Sequence, residues 1–321
     1  MTLRLATRRS ALALWQSERV ATLLRQRGQP CALVPMHTEG DRILDRPLSE
    51  IGGKGLFVKE LEEALAQGRA DLAVHSAKDV PFALPEGFTL CAFFAREDPR
   101  DALVAPRARL FADLPRGARV GTSSLRRALQ LLAERPDLVI VPVRGNVQTR
   151  LGRAGKGDLD AVVLALAGLR RLGLEGHVTE ILPVELSLPA AGQGALAIEA
   201  LRDSRGERAA SPLDDAGTAR CVRAERAVLA RLAGGCTVPI AAYAVAEGAG
   251  LWLRTALGGP DGHGGVTLLR AEKRGTDPES LGIAAAEALL EQGGAALLDA
   301  SRSQAAGLAA PQRTATAGAR P

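Results

Sequence analysis

Residues 119–173 read RVGTSSLRRALQLLAERPDLVIVPVRGNVQTRLGRAGKGDLDAVVLALAGLRRLG. Three short apolar runs, RVG, VIVPV and DAVVLAL, are each followed by a stretch with helical character: SLRRALQLLAE, RGNVQTRLGR and AGLRRLG. Such alternation predicts a parallel α/β sheet, because parallel neighbours need a crossover, usually a helix, between them. Ligands of such sheets gather at the carboxyl ends of strands and the amino ends of helices, where GTSSLRR and RGNVQTR lie.

The N-terminal segment repeats the theme. LRLAT and CALVPMHT read as strands around a helix that has Ser10 as N-cap and Gly28 as its stop. KGLFVKELEEALAQG places Phe57, Leu61 and Leu65 on one helical face and ends at Gly68. The strand ADLAV (70–74) follows, and HSAKDVP breaks out of it. Beyond Gly217 the pattern changes. TARCVRAERAVLARLAGG is a predicted helix closed by Gly234 and Gly235, two alternating stretches read as antiparallel strands, and PESLGIAAAEALLEQGG is a final helix. The expected fold is α/β, two lobes with parallel-rich sheets plus a small α+β C-terminal domain. Residues 301–321 lack apolar periodicity and are expected to be disordered.

At 321 residues and 46% hydrophobic, the chain has material for two or three domains. No uninterrupted apolar run approaches about 18 residues, which predicts no transmembrane helix. The apolar patch in MTLRLATRRSALALWQ is too short for a signal-peptide core, so a cytoplasmic location is expected. Four cysteines form no CxxC pair and four histidines are scattered, which predicts neither a disulfide framework nor a metal site. The net charge of +5 is unevenly placed: Arg119 to Arg171 holds ten basic and four acidic residues, a net +6. That concentration points to an anionic partner.

Four motifs stand where chemistry is expected. IGGKGLFVKELE has glycines around Lys54 but lacks the phosphate-loop spacing, leaving a mobile cover or a generic anion contact. In HSAKDVP, Asp79 beside Lys78 reads either as a local ion pair or turn cap, or as a cleft carboxylate handling a proton or a developing cation. GTSSLRR offers Ser123 or Ser124 as N-cap. Its adjacent Arg126 and Arg127 cannot share one helix face, so two different partners are expected for them. Cys236, after two glycines in AGGCTVP, is either an apolar filler or an accessible thiol fit for covalent attachment.

RGNVQTRL, GTSSLRR, HSAKDVP, IGGKGLFVKELE, REDPRDAL, LPAAGQGALAIE and GGCTVPI together resemble the porphobilinogen deaminase family, from about Leu3 to Leu298. The resemblance implies two lobes like those of type II periplasmic binding proteins and a monomer. The implied domains are 1–96 with 195–212 returning to it, 97–194, and 213–300, followed by the tail 301–321. It implies the hydroxymethylbilane synthase reaction, a transferase reaction: four porphobilinogen molecules condense head to tail, release ammonia and leave as 1-hydroxymethylbilane. It also implies a dipyrromethane cofactor joined to Cys236 by a thioether. Asp79 matches the catalytic aspartate. Lys78, Ser124, Arg126, Arg127 and Arg144 match cofactor-holding positions, and Arg8, Ser10, Arg150, Arg171, Gln193, Phe57 and Lys54 match substrate-side ones. A polycarboxylate ligand accounts for the +6 segment better than nucleic acid, whose interleaved aromatics are missing. Two departures stand out. Glu50 replaces a common lysine and is not counted as an anion contact, and alanine replaces a common methionine in HSAKDVP.

Overall fold

The computed structural model describes residues 1–42, 57–157, 159–232, 238–263 and 265–308. In chain order the strands are β1 (Leu3–Arg8), β2 (Cys31–Met36), β3 (Leu72–Ser76), β4 (Phe88–Phe93), β5 (Asp101–Val104), β6 (Arg119–Gly121), β7 (Val139–Val141), β8 (Ala161–Ala165), β9 (Glu180–Ile181), β10 (Leu196–Leu201), β11 (Ile240–Glu247), β12 (Gly250–Pro260) and β13 (Val266–Gly275). The helices are α1 (Ala11–Gln26), α2 (Glu39–Arg42), α3 (Lys59–Ala66), α4 (Leu125–Glu134), α5 (Val147–Leu151), α6 (Leu166–Arg171), α7 (Arg205–Ala210), α8 (Ala216–Arg231), α9 (Pro278–Leu289) and α10 (Ala295–Leu308).

Two five-stranded sheets share one plan. The first runs β2-β1-β3-β10-β4 and the second β7-β6-β8-β5-β9. In each, three strands are parallel, and a fourth runs antiparallel to the third. That antiparallel strand belongs to a crossing: β5 follows the passage out of the first sheet, and β10 returns from the second. Both faces of each sheet are covered, as parallel strands require. On one face of the first sheet, Val20 and Leu24 of α1 pack on Leu5, Leu72 and Ile198. On the other, Leu61 and Leu65 of α3 pack on Ala6 and Ala73. In the second sheet Leu131 of α4 meets Val120 and Val163, while Leu166 and Leu169 meet Val104 and Val162. The expected α/β class with parallel-rich sheets and a small α+β unit at the C-terminal end is what these elements form.

The third sheet, β11-β12-β13, is antiparallel throughout. Helices α8 and α9 pack on it through Val228, Leu281, Ala285 and Leu289. Their contact is so close that a Cβ on Gly282 would lie 2.4 Å from the Ala224 carbonyl oxygen. Pro278–Ser301 contains an 18-residue window of mean hydropathy 1.3 and has the length of a membrane span. Here its buried side chains, Leu281, Ala285, Leu289 and Leu298, belong to the core of the third sheet, and Gly293 breaks its helical run with a φ of 94°. Past that break α10 continues to Leu308, into the stretch expected to lack structure.

One further expectation is corrected and another is resolved. Phe57 does not sit on a helical face with Leu61 and Leu65, because α3 starts only at Lys59. Its ring instead lies against Gly40, where a Cβ would come within 2.4 Å of it. Ser124, not Ser123, caps α4 by accepting from the Arg127 amide, while Ser123 exchanges hydrogen bonds with the backbone of Val143.

The third unit is locked to the crossings by one buried carboxylate. Glu225 of α8 has no exposure to solvent. It accepts from Arg96 Nη1 and Nη2, from the Gly192 amide at 2.7 Å and from the Ala244 amide at 2.8 Å. Arg96 also donates to the Gln193 carbonyl at 2.8 Å. Removing one partner of such a pair strands the other charge in the interior. Glu225→Ala is therefore expected to lower unfolding free energy by about 3–5 kcal/mol, read from urea denaturation against the unsubstituted chain.

Candidate active site

The site assembles where the carboxyl ends of strands from the two five-stranded sheets approach the crossings. After β3 the chain turns through Ala77–Asp79, bringing up Lys78 and Asp79. β1 ends at Arg8, and Ser10 beyond it caps α1 by accepting from the Ala13 amide. From the second sheet, β6 leads to Ser124, Arg126 and Arg127 at the start of α4. β7 leads to Arg144 and, through the Asn146 cap, to Arg150 on α5. Arg171 ends α6.

The return passage through Gly192-Gln193-Gly194 touches both sides. Gly192 and Gly194 have φ of 73° and 91°, which favours glycine. A Cβ on Gly192 would meet Ala77, and one on Gly194 would lie 2.2 Å from the Glu97 carbonyl oxygen. Between them Gln193 is 1% exposed. Its Nε2 donates to the Pro99 carbonyl (2.6 Å) and to Asp101 Oδ1 (2.8 Å), and its Oε1 accepts from Lys78 Nζ (3.3 Å).

Arg126 and Arg127 converge on one carboxylate, which corrects the expectation of two different partners. Arg126 Nη2 lies 2.8 Å from Asp101 Oδ2, and Arg127 donates to Oδ1 through Nε (3.0 Å) and Nη2 (2.7 Å). Two neighbouring side chains leave a helix about 100° apart, but at a first turn their long stems can fold to either side of a strand that passes below. The guanidiniums keep separate backbone partners, the carbonyls of Leu188 for Arg126 and Val163 for Arg127. Burial alone would raise the Asp101 pKa, but the two arginines and the Gln193 hydrogen bond hold it well below the usual carboxylate range.

Around Asp79 the charges crowd. Burial lowers the Arg150 pKa to about 10. The charges of Arg127, Arg144 and Arg8 contribute to that lowering while Asp79 opposes it, so all four act on Arg150. Arg150 Nε donates to the Gly145 carbonyl at 2.8 Å. Arg171 reaches the Gly194 carbonyl, and burial brings its pKa to about 10. The Arg8 guanidinium lies 4.2 Å over the Phe57 ring, so these two predicted residues meet each other. Lys54 and Cys236 lie outside the described residues, as does Glu50.

Five residues to which the sequence reading gave no role take part here. Asp101 sits in the REDPRDAL motif, where a carboxylate heading an apolar run is the only signal. His75 Nε2 lies 2.9 Å from Glu199 Oε2 in the interior of the first sheet. Burial and the Glu199 charge push the nearby Glu62 carboxyl up to about 7. From α8, Arg226 donates to the carbonyls of Val80 (3.3 Å), Pro81 (2.7 Å) and Phe82 (3.0 Å), clamping the turn that follows Asp79. Arg226 carries no motif signal, since its targets are backbone atoms.

Residues 3–208 match the family model described as porphobilinogen deaminase, dipyromethane cofactor binding domain. Residues 219–291 match porphobilinogen deaminase, C-terminal domain. The chain belongs to the porphobilinogen deaminase family. With the family come hydroxymethylbilane synthase function in tetrapyrrole synthesis and a dipyrromethane cofactor. Among solved structures the chain is similar to a putative methionine-binding lipoprotein from Bacillus subtilis, at 12% identity over 66% of this chain and 89% of that one, with a TM-score of 0.42. It is also similar to the periplasmic aliphatic sulphonate binding protein SsuA from Escherichia coli, at 19% identity over 72% and 70%, with a TM-score of 0.38. The residues present fit the family's cofactor, a polycarboxylate, because Arg8, Arg127 and Arg144 all add positive potential at Arg150, which an anion there would lower.

Lys78 makes the site pH-sensitive. Burial lowers its pKa from 10.5 to about 7; Asp79 and Asp101 oppose the change, and Arg126 and Arg127 add to it. Between pH 7 and 10.5 the unfolded chain holds a proton on Lys78 that the folded chain has released. The penalty for charging this amine is complete below pH 7 and is relieved as pH rises, so its contribution to stability increases with pH across that window. Lys78→Met is expected to flatten this rise, seen as the difference between the two chains' denaturation midpoints at pH 6, 8 and 10. A difference that does not vary with pH would contradict it.

Proposed function

We propose that this porphobilinogen deaminase is a transferase that condenses four porphobilinogen molecules head to tail on a dipyrromethane primer anchored at Cys236, then hydrolyses off 1-hydroxymethylbilane. One observation carries the reading: at the carboxyl ends of the two sheets, Asp79 and Arg8 from the first and Arg127 and Arg144 from the second all act on the charge of Arg150, while Asp79 and Arg127 also act on that of Lys78. A carboxylate set among cations suits a substrate that brings its own acetate and propionate groups and develops positive charge at one place.

When bound, the primer supplies the terminal pyrrole carbon onto which the chain grows. The protein's own groups do the rest. Arg8, Arg126, Arg127, Arg144 and Arg150, with Lys78 and Ser124, bind and orient carboxylates. Guanidiniums suit this because they stay charged and grip a carboxylate by two parallel hydrogen bonds. Asp79 stabilises positive charge on the substrate pyrrole as ammonia leaves, and accepts the proton lost when the new carbon–carbon bond forms. Arg171 and Gln193 hold the return passage beside the site. Ser10 secures α1 next to Arg8, and Phe57 supports the Arg8 guanidinium, with Lys54 ahead of it in sequence as a further anion contact. A cytoplasmic monomer accords with the family resemblance.

Intact-mass measurement of the purified chain tests the anchor. The expected result is a surplus equal to two condensed porphobilinogen units, absent from Cys236→Ser. Asp79→Asn should keep that surplus yet lose turnover by roughly 100-fold or more, the range for removing a proton-transfer group. Near-normal turnover in Asp79→Asn would remove the residue from the chemistry.

A further inference from the structure

We propose that Asp101 is the positioning residue of this site: from the head of β5 it fixes the Arg126 and Arg127 guanidiniums and, through the Gln193 amide, joins them to the Lys78 ammonium on the other sheet. The inference rests on the reading of Arg126, Arg127 and Lys78 as ligand-holding groups.

Asp101 has no solvent exposure, and its two oxygens meet four side chains. Oδ1 takes Arg127 Nε and Nη2 and Gln193 Nε2, while Oδ2 takes Arg126 Nη2 and Ser187 Oγ at 2.8 Å. A carboxylate offers about four lone-pair sites, so protein donors saturate this one and leave it nothing for a ligand. Its effect is exerted through its partners. One negative charge against two guanidiniums leaves the triad a net +1, which still favours an anion.

Gln193 carries the arrangement across the crossing. With its Nε2 donating to both the Pro99 carbonyl and Asp101, its Oε1 has to face Lys78. Lys78 is therefore aimed by the same carboxylate that aims the arginines, although it stands on the first sheet and they stand on the second. The charged groups acting on it are Asp79 beside it, Arg126 and Arg127 from α4, and Asp101 from β5. Gly192 and Gly194 hold Gln193 in place by their close approach to Ala77 and Glu97.

The test uses the full chain as it assembles, with Gln193→Met and Asp101→Asn. Asp101→Asn turns an acceptor into a donor facing Arg126; Gln193→Met leaves both arginine pairs with Asp101 in place and removes the link to Lys78 together with the hydrogen bonds that Gln193 makes to Pro99 and Asp101. Three quantities are read: the melting temperature, kcat and KM for porphobilinogen, and the pH dependence of Lys78 acetylation, mapped by peptide mass. For Gln193→Met the expected result is a melting temperature within a few degrees and KM raised about tenfold, the loss of one hydrogen bond to a charged group. The midpoint of Lys78 acetylation should also move to lower pH, because the ammonium has lost its acceptor. A lowered melting temperature with KM and the Lys78 midpoint unchanged would make the network merely structural and overturn the proposal. An unsubstituted chain that carries no primer mass and turns over no porphobilinogen would overturn the functional reading itself, and this role with it.

Discussion

A carboxylate withdrawn from water is tolerated only where donors replace the solvent, and Asp101 draws those donors from far apart in the sequence: Arg126 and Arg127 on α4, Ser187 before the return passage, and Gln193 within it. The start of β5, the first turn of α4 and the Gly-Gln-Gly passage must all converge for that charge to be satisfied. The convergence occurs where the two five-stranded sheets exchange strands. The element that stabilises the junction is thus also the one that places cations at its surface.

The third unit reaches the same junction through a second buried charge. Glu225 binds Arg96 and the Gly192 amide, one residue from Gln193, and one helical residue later Arg226 grips the carbonyls after Asp79. Helix α8 therefore touches both the passage that orients Lys78 and the turn that carries Asp79. Cys236 follows α8 closely in sequence. The unit that bears the proposed anchor is registered against the turn that bears the proposed catalytic carboxylate, without needing direct contact between the two residues.

Local pattern made much of this legible. The apolar runs at residues 119–173 form β6, β7 and β8, the Ser10 cap and the Gly28 stop bound α1, and the alternation after Val238 forms an antiparallel sheet. These features depend on spacing and on φ preferences within a few residues. The placement of β10 was not legible in that way. LAIEAL looks like any buried strand, and which sheet it joins depends on the partners that the glycines ahead of it can approach.

Sequence by itself determined which residues carry charge and where they fall relative to strands and helices, so the basic segment, the HSAKDVP turn and the GGC cysteine were visible as chemistry. Tertiary structure alone decided which charges meet. Arg126 and Arg127 share one carboxylate, Phe57 supports Arg8 and not the face of α3, and Gln193 is a buried bridge. The physical reason is range. Capping and periodicity act over one or two helical turns, whereas neutralising a buried charge selects partners by distance in space, here across 26 residues for Arg127 and 92 for Gln193.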